Sequence, residues 1–191
     1  MKKRYIIANW KSYKDTNEAK KWVEALSRFR FPPVHEIELV VCPSFSLLPQ
    51  MKKTIRDTSL PISLGTQDIS QFGEGSFTGA VNAKQAIEYA TYAIIGHSER
   101  RKYFHETDMD VIAKLKAVLD TPMTPVLCIS DLNQMEFYLK QGTLVVDKAD
   151  KIIFVYEPPS AISGGGNFHP ESPEKANENA EKMQKMIGKE V

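Results

Sequence analysis

Four polar residues whose types suit proton transfer follow apolar runs of the sequence. Asn9 ends the run RYIIAN, and Lys11 lies two residues further on. His97 ends YAIIGH, and Glu157 directly follows KIIFVY. A carboxylate can take a proton from carbon next to a carbonyl, while a neutral imidazole and a fixed ammonium stabilise the negative charge that develops on oxygen. These residue types indicate an enolisation through an enediolate.

Each residue also has an ordinary structural interpretation. Asn9 could form a turn, and Lys11 could be a solvated amine. His97 could pair beside a helix start, and Glu157 could cap a strand in solvent. Their joint placement favours a site, because functional groups of parallel βα folds gather at the carboxyl ends of the strands. The stretch GHSERRKYF also predicts a helix N-terminus that would keep His97 neutral.

The elements that position these residues are predicted to be alternating strands and helices. Runs rich in β-branched residues are nearly continuous in apolar character, as in strands buried on both faces. They cover residues 4–9, 37–42, 61–67, 92–97, 124–130 and 151–156. Helical segments separate them, which predicts an α/β fold of six parallel βα units. No linker, repeat or low-complexity tract interrupts the pattern, so residues 1–191 are expected to form one domain.

Helical spacing is strongest in three segments. Apolar residues recur at helical intervals in the first two. They are Ala19, Trp22, Val23 and Leu26 in one, and Met109, Ile112, Leu115 and Leu119 in the other. The predicted N-caps are Thr16 or Asn17, Thr107 and Ser172. The third segment covers residues 172–188, where Pro173 suits the first helical position and Gly188 suits the end of the helix.

Composition excludes several classes of partner. The net charge is +1 with both signs well mixed, which predicts neither a nucleic-acid partner nor an anionic membrane surface. Cys42 and Cys128 lie far apart, and we expect two buried free thiols in a reducing cytoplasm rather than a disulfide or a zinc site. The apolar N-terminal stretch is too short for a signal peptide, and no run is long enough to span a bilayer.

Two loops that contain glycine are candidates for a functional role. The loop at 73–82 is unusually long for so compact a pattern. The GGG at 164–166 lacks the Gly-Lys-Ser/Thr of a nucleotide-binding loop, but it suits a lid whose N–H groups close on a phosphate. His97 and Glu99 alone form no metal-ligand motif.

Five motifs resemble those of triosephosphate isomerases and occur in the same order. They are ANWK (8–11), QDIS…GSFTGAVNAKQ (67–85), IIGHSERRKYF (94–104), VLCIS (126–130) and YEPPSAISGGG (156–166). The resemblance runs from residue 4 to about 187. It implies a TIM (β/α) barrel that interconverts dihydroxyacetone phosphate and glyceraldehyde 3-phosphate without a cofactor.

The resemblance also implies roles for the residues at the strand ends. His97 would be the electrophile and Glu157 the base. Asn9 and Lys11 would bind the substrate, and Lys11 would also stabilise charge. Supporting roles fall to Ser98 and Glu99.

Two loops acquire roles from the same resemblance. The lid would span residues 158–165, with Ser163 and Gly164 binding the substrate. The loop 67–82 would join two subunits, with Thr78 reaching the neighbour's active site. A homo-oligomer is therefore expected, to which open barrel edges could also contribute.

Some features depart from the family pattern. The family barrel has eight βα units, and the resemblance covers six, without the two phosphate-binding loops that follow. Ser160 replaces the lid tryptophan, and Ser130-Asp131 replaces the usual Gly-Glu. A shortened barrel would expose two sheet edges and would hold a phosphate with fewer backbone donors, which predicts weak activity.

Three hypotheses follow from these motifs and departures. In the first hypothesis, the chain is a shortened triosephosphate isomerase. In the second, it is a catalytically inactive barrel, or a truncated chain, that serves as a binding or structural subunit. The third hypothesis is an isomerase of a different small sugar phosphate. Turnover, binding of a phosphorylated enediolate analogue and a substrate panel distinguish the three.

Overall fold

A computed structural model describes residues 3–158, 161 and 169–188. Six parallel strands form one sheet in the order β1-β2-β3-β4-β5-β6. They are β1 Arg4–Asn9, β2 Ile37–Cys42, β3 Ile62–Thr66, β4 Tyr92–Ile95, β5 Thr124–Ile129 and β6 Ile153–Tyr156. The helices are α1 Thr16–Leu26, α2 Leu48–Thr58, α3 Ala83–Ala86, α4 Ser98–Phe104, α5 Asp108–Leu119, α6 Leu132–Lys140, α7 Leu144–Asp147 and α8 Pro173–Ile187. The predicted α/β architecture of six parallel units is confirmed.

The sheet curls into part of a barrel. Neighbouring strands lie about 4.8 Å apart, so β1 and β4 would be about 14 Å apart in a flat sheet. Lys11, just after β1, nevertheless pairs with Glu99, just after β4, at an Nζ–Oε1 distance of 2.8 Å. The curl brings the carboxyl ends of distant strands together. Among the described residues, β1 and β6 pair with only one strand each.

The prediction of strands buried on both faces holds in the middle of the sheet and is wrong at its edges. The residues of β4 are all buried, as are most of β2 and β5. In β1, Tyr5 is 41% exposed and Ile6 is 54% exposed, and β6 is half-buried throughout. An edge strand has a neighbour on one side only, so an apolar sequence does not ensure that both of its faces are covered.

The run predicted at 92–97 ends earlier than expected as a strand. β4 stops at Ile95, and Gly96 has a φ of +73°, which belongs to the left-handed region that favours glycine. His97 follows as the N-cap of α4. The histidine therefore lies in the turn between strand and helix rather than within the strand.

Most helix caps agree with the predictions. Thr107 and Ser172 cap α5 and α8, and Gly188 ends α8 with a φ of +71°. The prediction of Thr16 or Asn17 at the start of α1 is wrong, because Asp15 is the N-cap. Asp15 accepts from the Glu18 N–H at 2.8 Å, and Glu18 accepts from the Asp15 N–H at 2.8 Å. A glutamate three residues after the cap completes this reciprocal box.

The predicted apolar stripe of α5 is partly wrong. Met109 is 57% exposed, whereas Val111, Leu115 and Val118 are fully buried. Lys114 shares the buried face, because its ammonium pairs with Asp68 and Glu106 at 2.7 and 2.5 Å. A buried ion pair thus occupies a position that apolar spacing alone does not identify.

Two hydrophobic clusters hold the sheet. The larger one lies between the sheet and its helices and includes Ala19 and Val23 of α1, as their spacing predicts. The smaller cluster joins alternate residues of β2, β4 and β5, together with partly buried residues of the edge strands. It contains both cysteines, which are buried and free as expected.

Candidate active site

The four residues singled out by their chemistry lie at the same end of the sheet. Asn9 is the last residue of β1, and Lys11 follows in the next turn. His97 follows β4, and Glu157 follows β6, where its N–H donates to the Ile129 carbonyl at 2.8 Å. The carboxyl ends of β1, β4 and β6 therefore supply an amide, an ammonium, an imidazole and a carboxylate to one edge.

His97 and Glu157 contact each other directly. The distance from His97 Nε2 to Glu157 Oε1 is 2.9 Å, and the His97 side chain is only 10% exposed. On the other side of the ring, Nδ1 accepts from the Glu99 N–H at 3.2 Å. A nitrogen that accepts a hydrogen bond carries no proton, so in this arrangement the donor nitrogen of the ring is Nε2. Its proton is donated to Glu157.

The carboxyl group of Glu157 is ionised at neutral pH. Burial acts to raise the pKa of Glu157, but hydrogen bonds from His97 and from the Ser98 N–H outweigh it and hold the pKa below its ordinary value. The Ser98 N–H donates to Oε2 at 3.3 Å. Because Ser98 begins α4, this bond also places the carboxylate at the positive end of a helix.

The ammonium of Lys11 is held by an unusual turn. Lys11 has a φ of +51°, a backbone conformation that residues other than glycine rarely adopt. Its N–H donates to Asn9 Oδ1 at 2.9 Å, and its carbonyl accepts from Gln67 Nε2 at 2.9 Å. Gln67 Nε2 also donates to the Cys42 carbonyl at 2.9 Å, which ties the turn to the end of β2. Sequence reasoning gave Gln67 no individual role, although its position after β3 is a signal of the same kind that identified Asn9.

Glu99 connects the two halves of the site. Its N–H fixes His97 Nδ1, and its Oε1 accepts from Lys11 Nζ at 2.8 Å. Glu99 therefore contacts both His97 and Lys11 directly, and its supporting role stays a prediction. Thr78 is exposed in the loop 67–82, and no hydrogen bond or ion pair joins it to the other candidate residues of the described chain. Ser163 and Gly164 lie outside the described residues.

Over the residues that the structure describes, no group of three or more His, Cys, Asp or Glu side chains is placed to hold a metal ion. Within the same part of the chain, no helix has the length and apolar content that crossing a membrane requires.

A curled sheet of parallel βα units, with polar groups at the carboxyl ends of its strands, is the arrangement of (β/α)-barrel folds. The family model described as triosephosphate isomerase matches residues 4–191. The triosephosphate isomerase of Thermus thermophilus is 35% identical over 187 residues, which cover 91% of this chain and 73% of the relative. That of Dictyoglomus turgidum is 32% identical over 98% of this chain and 78% of its own. The chain belongs to the triosephosphate isomerase family.

Proposed function

We propose that this chain interconverts dihydroxyacetone phosphate and glyceraldehyde 3-phosphate, with Glu157 as the base and His97 as the electrophile. The observation that supports this most strongly is the 2.9 Å contact between His97 Nε2 and Glu157 Oε1, with His97 Nδ1 accepting from the Glu99 N–H. The nearby Lys11 ammonium and the family relationship favour the same reaction. No cofactor is required, because the reaction only moves protons.

The reaction begins when the substrate carbonyl replaces Glu157 as the acceptor of the His97 Nε2–H bond. The released carboxylate then removes a proton from the neighbouring carbon, and the electron pair moves onto the carbonyl oxygen to give an enediolate. Protons exchange between the two enediolate oxygens by way of His97. Return of the proton from Glu157 to the other carbon gives the isomer with no net oxidation.

Charge stabilisation belongs to Lys11, and substrate orientation to Asn9. A fixed ammonium close to the enediolate oxygens lowers the energy of the charged intermediate without reorganisation. Glu99 keeps this ammonium in place and, together with Ser98 at the start of α4, supports the site from the helix side. Ser163 and Gly164 are assigned to binding the substrate phosphate through the loop 158–165.

The isomerase assay with Glu157→Gln tests this assignment. Glutamine keeps the size of the side chain but cannot accept the proton, so kcat should fall by about 10²-fold to 10⁴-fold. Glu88→Gln, which changes an exposed carboxylate in the same way, is the matched control and should leave turnover unchanged. Equal rates for the parent chain and Glu157→Gln would refute the role of Glu157.

A catalytically inactive binding subunit is the second candidate, and the exposed apolar edge of β1 favours it. This candidate predicts no saturable binding of a phosphorylated enediolate analogue in calorimetry. Saturable binding together with turnover would exclude it. A panel of triose, tetrose and pentose phosphates then determines whether another sugar phosphate is preferred.

We also propose that the chain lies in a reducing cytoplasm.

Self-association through the loop 67–82 is a further part of the proposal. Phe72 and Phe77 stack with their ring centroids 4.3 Å apart and remain 45% and 42% exposed. An exposed aromatic pair favours burial against another surface, here a second copy in which Thr78 approaches the active site. Sedimentation should show a dimer or larger species for the parent chain and a smaller one for Phe77→Ser. Identical sedimentation of the two would contradict this assignment.

A further inference from the structure

A partly buried polar cluster lies against the turn that carries His97. It consists of Arg101 of α4, Asp108 of α5, and Gln134 and Tyr138 of α6. Tyr138 is fully buried, and burial raises the pKa of its phenol, so the hydroxyl stays protonated and can donate. None of these four groups takes part in the proposed proton transfers.

The cluster has one arginine at its centre. Arg101 Nη1 donates to Asp108 Oδ1 at 2.5 Å, and Nη2 donates to the hydroxyl oxygen of Tyr138. The Tyr138 hydroxyl in turn donates to Asp108 Oδ1 at 3.1 Å. These two bonds fix the orientation of the planar guanidinium, and with it the direction in which the Nε–H bond points.

That remaining donor reaches the catalytic turn. Arg101 Nε donates to the Gly96 carbonyl at 3.0 Å. This carbonyl belongs to the peptide plane that joins Gly96 to His97, so holding its oxygen fixes the orientation of the histidine backbone. A Cβ at Gly96 would lie 3.1 Å from Arg101 Nη2 and 3.2 Å from Val111 Cγ1, which shows how closely the guanidinium packs against the turn.

A second branch links the cluster to the end of β5. Gln134 Nε2 donates to Asp108 Oδ1 at 3.3 Å, and Gln134 Oε1 accepts from the Ser130 N–H at 2.9 Å. Gln134 and Tyr138 are four residues apart on α6, so both lie on the same face of that helix. One face of α6 therefore braces the ends of β4 and β5 together.

We propose that Tyr138 is a positioning residue for His97 and acts through Arg101 and the Gly96 carbonyl. Its hydroxyl keeps the guanidinium in the one orientation that holds the peptide plane before His97. The Nδ1 acceptor of the ring then stays aligned with the Glu99 N–H, and the Nε2 proton stays aimed at the reacting oxygen. This inference deepens the proposed isomerase function and rests on it for its catalytic consequence.

The test compares Tyr138→Phe with Tyr89→Phe, which also removes one hydroxyl but lies beyond the C-terminal end of α3. Long-range ¹H–¹⁵N spectra of the His97 ring should show a single Nε2–H tautomer in the parent chain and in Tyr89→Phe. Tyr138→Phe should show mixed or broadened ring signals. Its kcat should fall by about 10-fold to 100-fold with KM changed less than about twofold, because the chemistry is misaligned while the binding residues are unaltered.

Arg101→Lys is the second variant and keeps the charge while losing the fork of donors. It should perturb the His97 signals in the same way as Tyr138→Phe. Urea unfolding identifies conditions in which every variant is folded, and the spectra are compared there. Unchanged His97 signals in folded Tyr138→Phe would overturn the proposal. If the parent chain shows no isomerisation, the proposed function fails, and the tautomer spectra still decide whether Tyr138 positions His97.

Discussion

Replacing Gln67 with leucine tests whether the Lys11 turn is held in place from outside β1. The Gln67 amide donates to the carbonyls of Lys11 and Cys42, both at 2.9 Å. Leucine has a similar size but no donor, so both carbonyls lose a partner. Each bond is worth about 0.5–1.5 kcal/mol, which gives an expected loss of about 1–3 kcal/mol in the free energy of unfolding.

The assay is urea denaturation followed by circular dichroism, with the slope of the transition unchanged. Gln50→Leu is the matched control, because the Gln50 amide donates to Thr54 Oγ1 one turn away in the same helix α2, at 3.1 Å. We expect the control to lose less than about 0.5 kcal/mol. The variant should also lose isomerase activity, since the left-handed Lys11 turn is no longer tied to β2. A loss under about 0.5 kcal/mol in Gln67→Leu, or an equal loss in the control, would refute the reasoning.

Core packing, acid stability and thiol burial give three further tests. Leu115→Ala should cost about 2–5 kcal/mol in urea unfolding, whereas Met109→Ala on the exposed side of α5 should stay within about 0.5 kcal/mol. The folded-state pKa of Glu157 is lowered, so its stabilising effect is present above the pKa of the unfolded chain and is lost as the pH falls through the folded value. Unfolding of Glu157→Gln should therefore depend less on pH below about 5, and parallel curves for the two chains would contradict this. Burial raises the pKa of Cys42 to about 12, so a maleimide at pH 8 should label it only in urea, and rapid labelling of the native chain would contradict the buried position.

Helix caps and the alternation of strands and helices could be predicted because they depend on short stretches of sequence. Thr107, Ser172 and Gly188 act within one helical turn, and the structure places them as expected. The sequence does not single out Asp15, because the adjacent Thr16 and Asn17 are equally good cap types. Only the reciprocal bond, in which the Glu18 carboxylate accepts from the Asp15 N–H, distinguishes them.

Features that depend on distant neighbours could not be predicted from the same patterns. The exposure of Ile6 reflects the lack of a second strand beside β1 in the described sheet, which its apolar sequence does not reveal. The burial of Lys114 depends on Asp68, 46 residues away in sequence. In the sequence, Tyr138 is one aromatic residue of an amphipathic helix, and nothing there predicts the hydrogen bond between its hydroxyl and Arg101.

The candidate site shows the same division. The strand-end positions of Asn9, His97 and Glu157 follow from the alternation of strands and helices, because parallel strands direct their carboxyl ends to one edge. The contact between His97 and Glu157, and the tautomer that it requires, depend on the curl of the sheet and on the start of α4. Their catalytic roles remain predictions.

Incorporation of deuterium from solvent tests the central claim most directly. Glyceraldehyde 3-phosphate is isomerised in D₂O, and the product is examined by ¹H NMR for deuterium on the carbon that receives the proton. If Glu157 removes the proton and its carboxyl group exchanges with solvent before returning one, the product formed by the parent chain carries deuterium. Glu157→Gln should give no deuterated product above the uncatalysed background. Deuterated product formed equally fast by both chains would contradict proton transfer through Glu157.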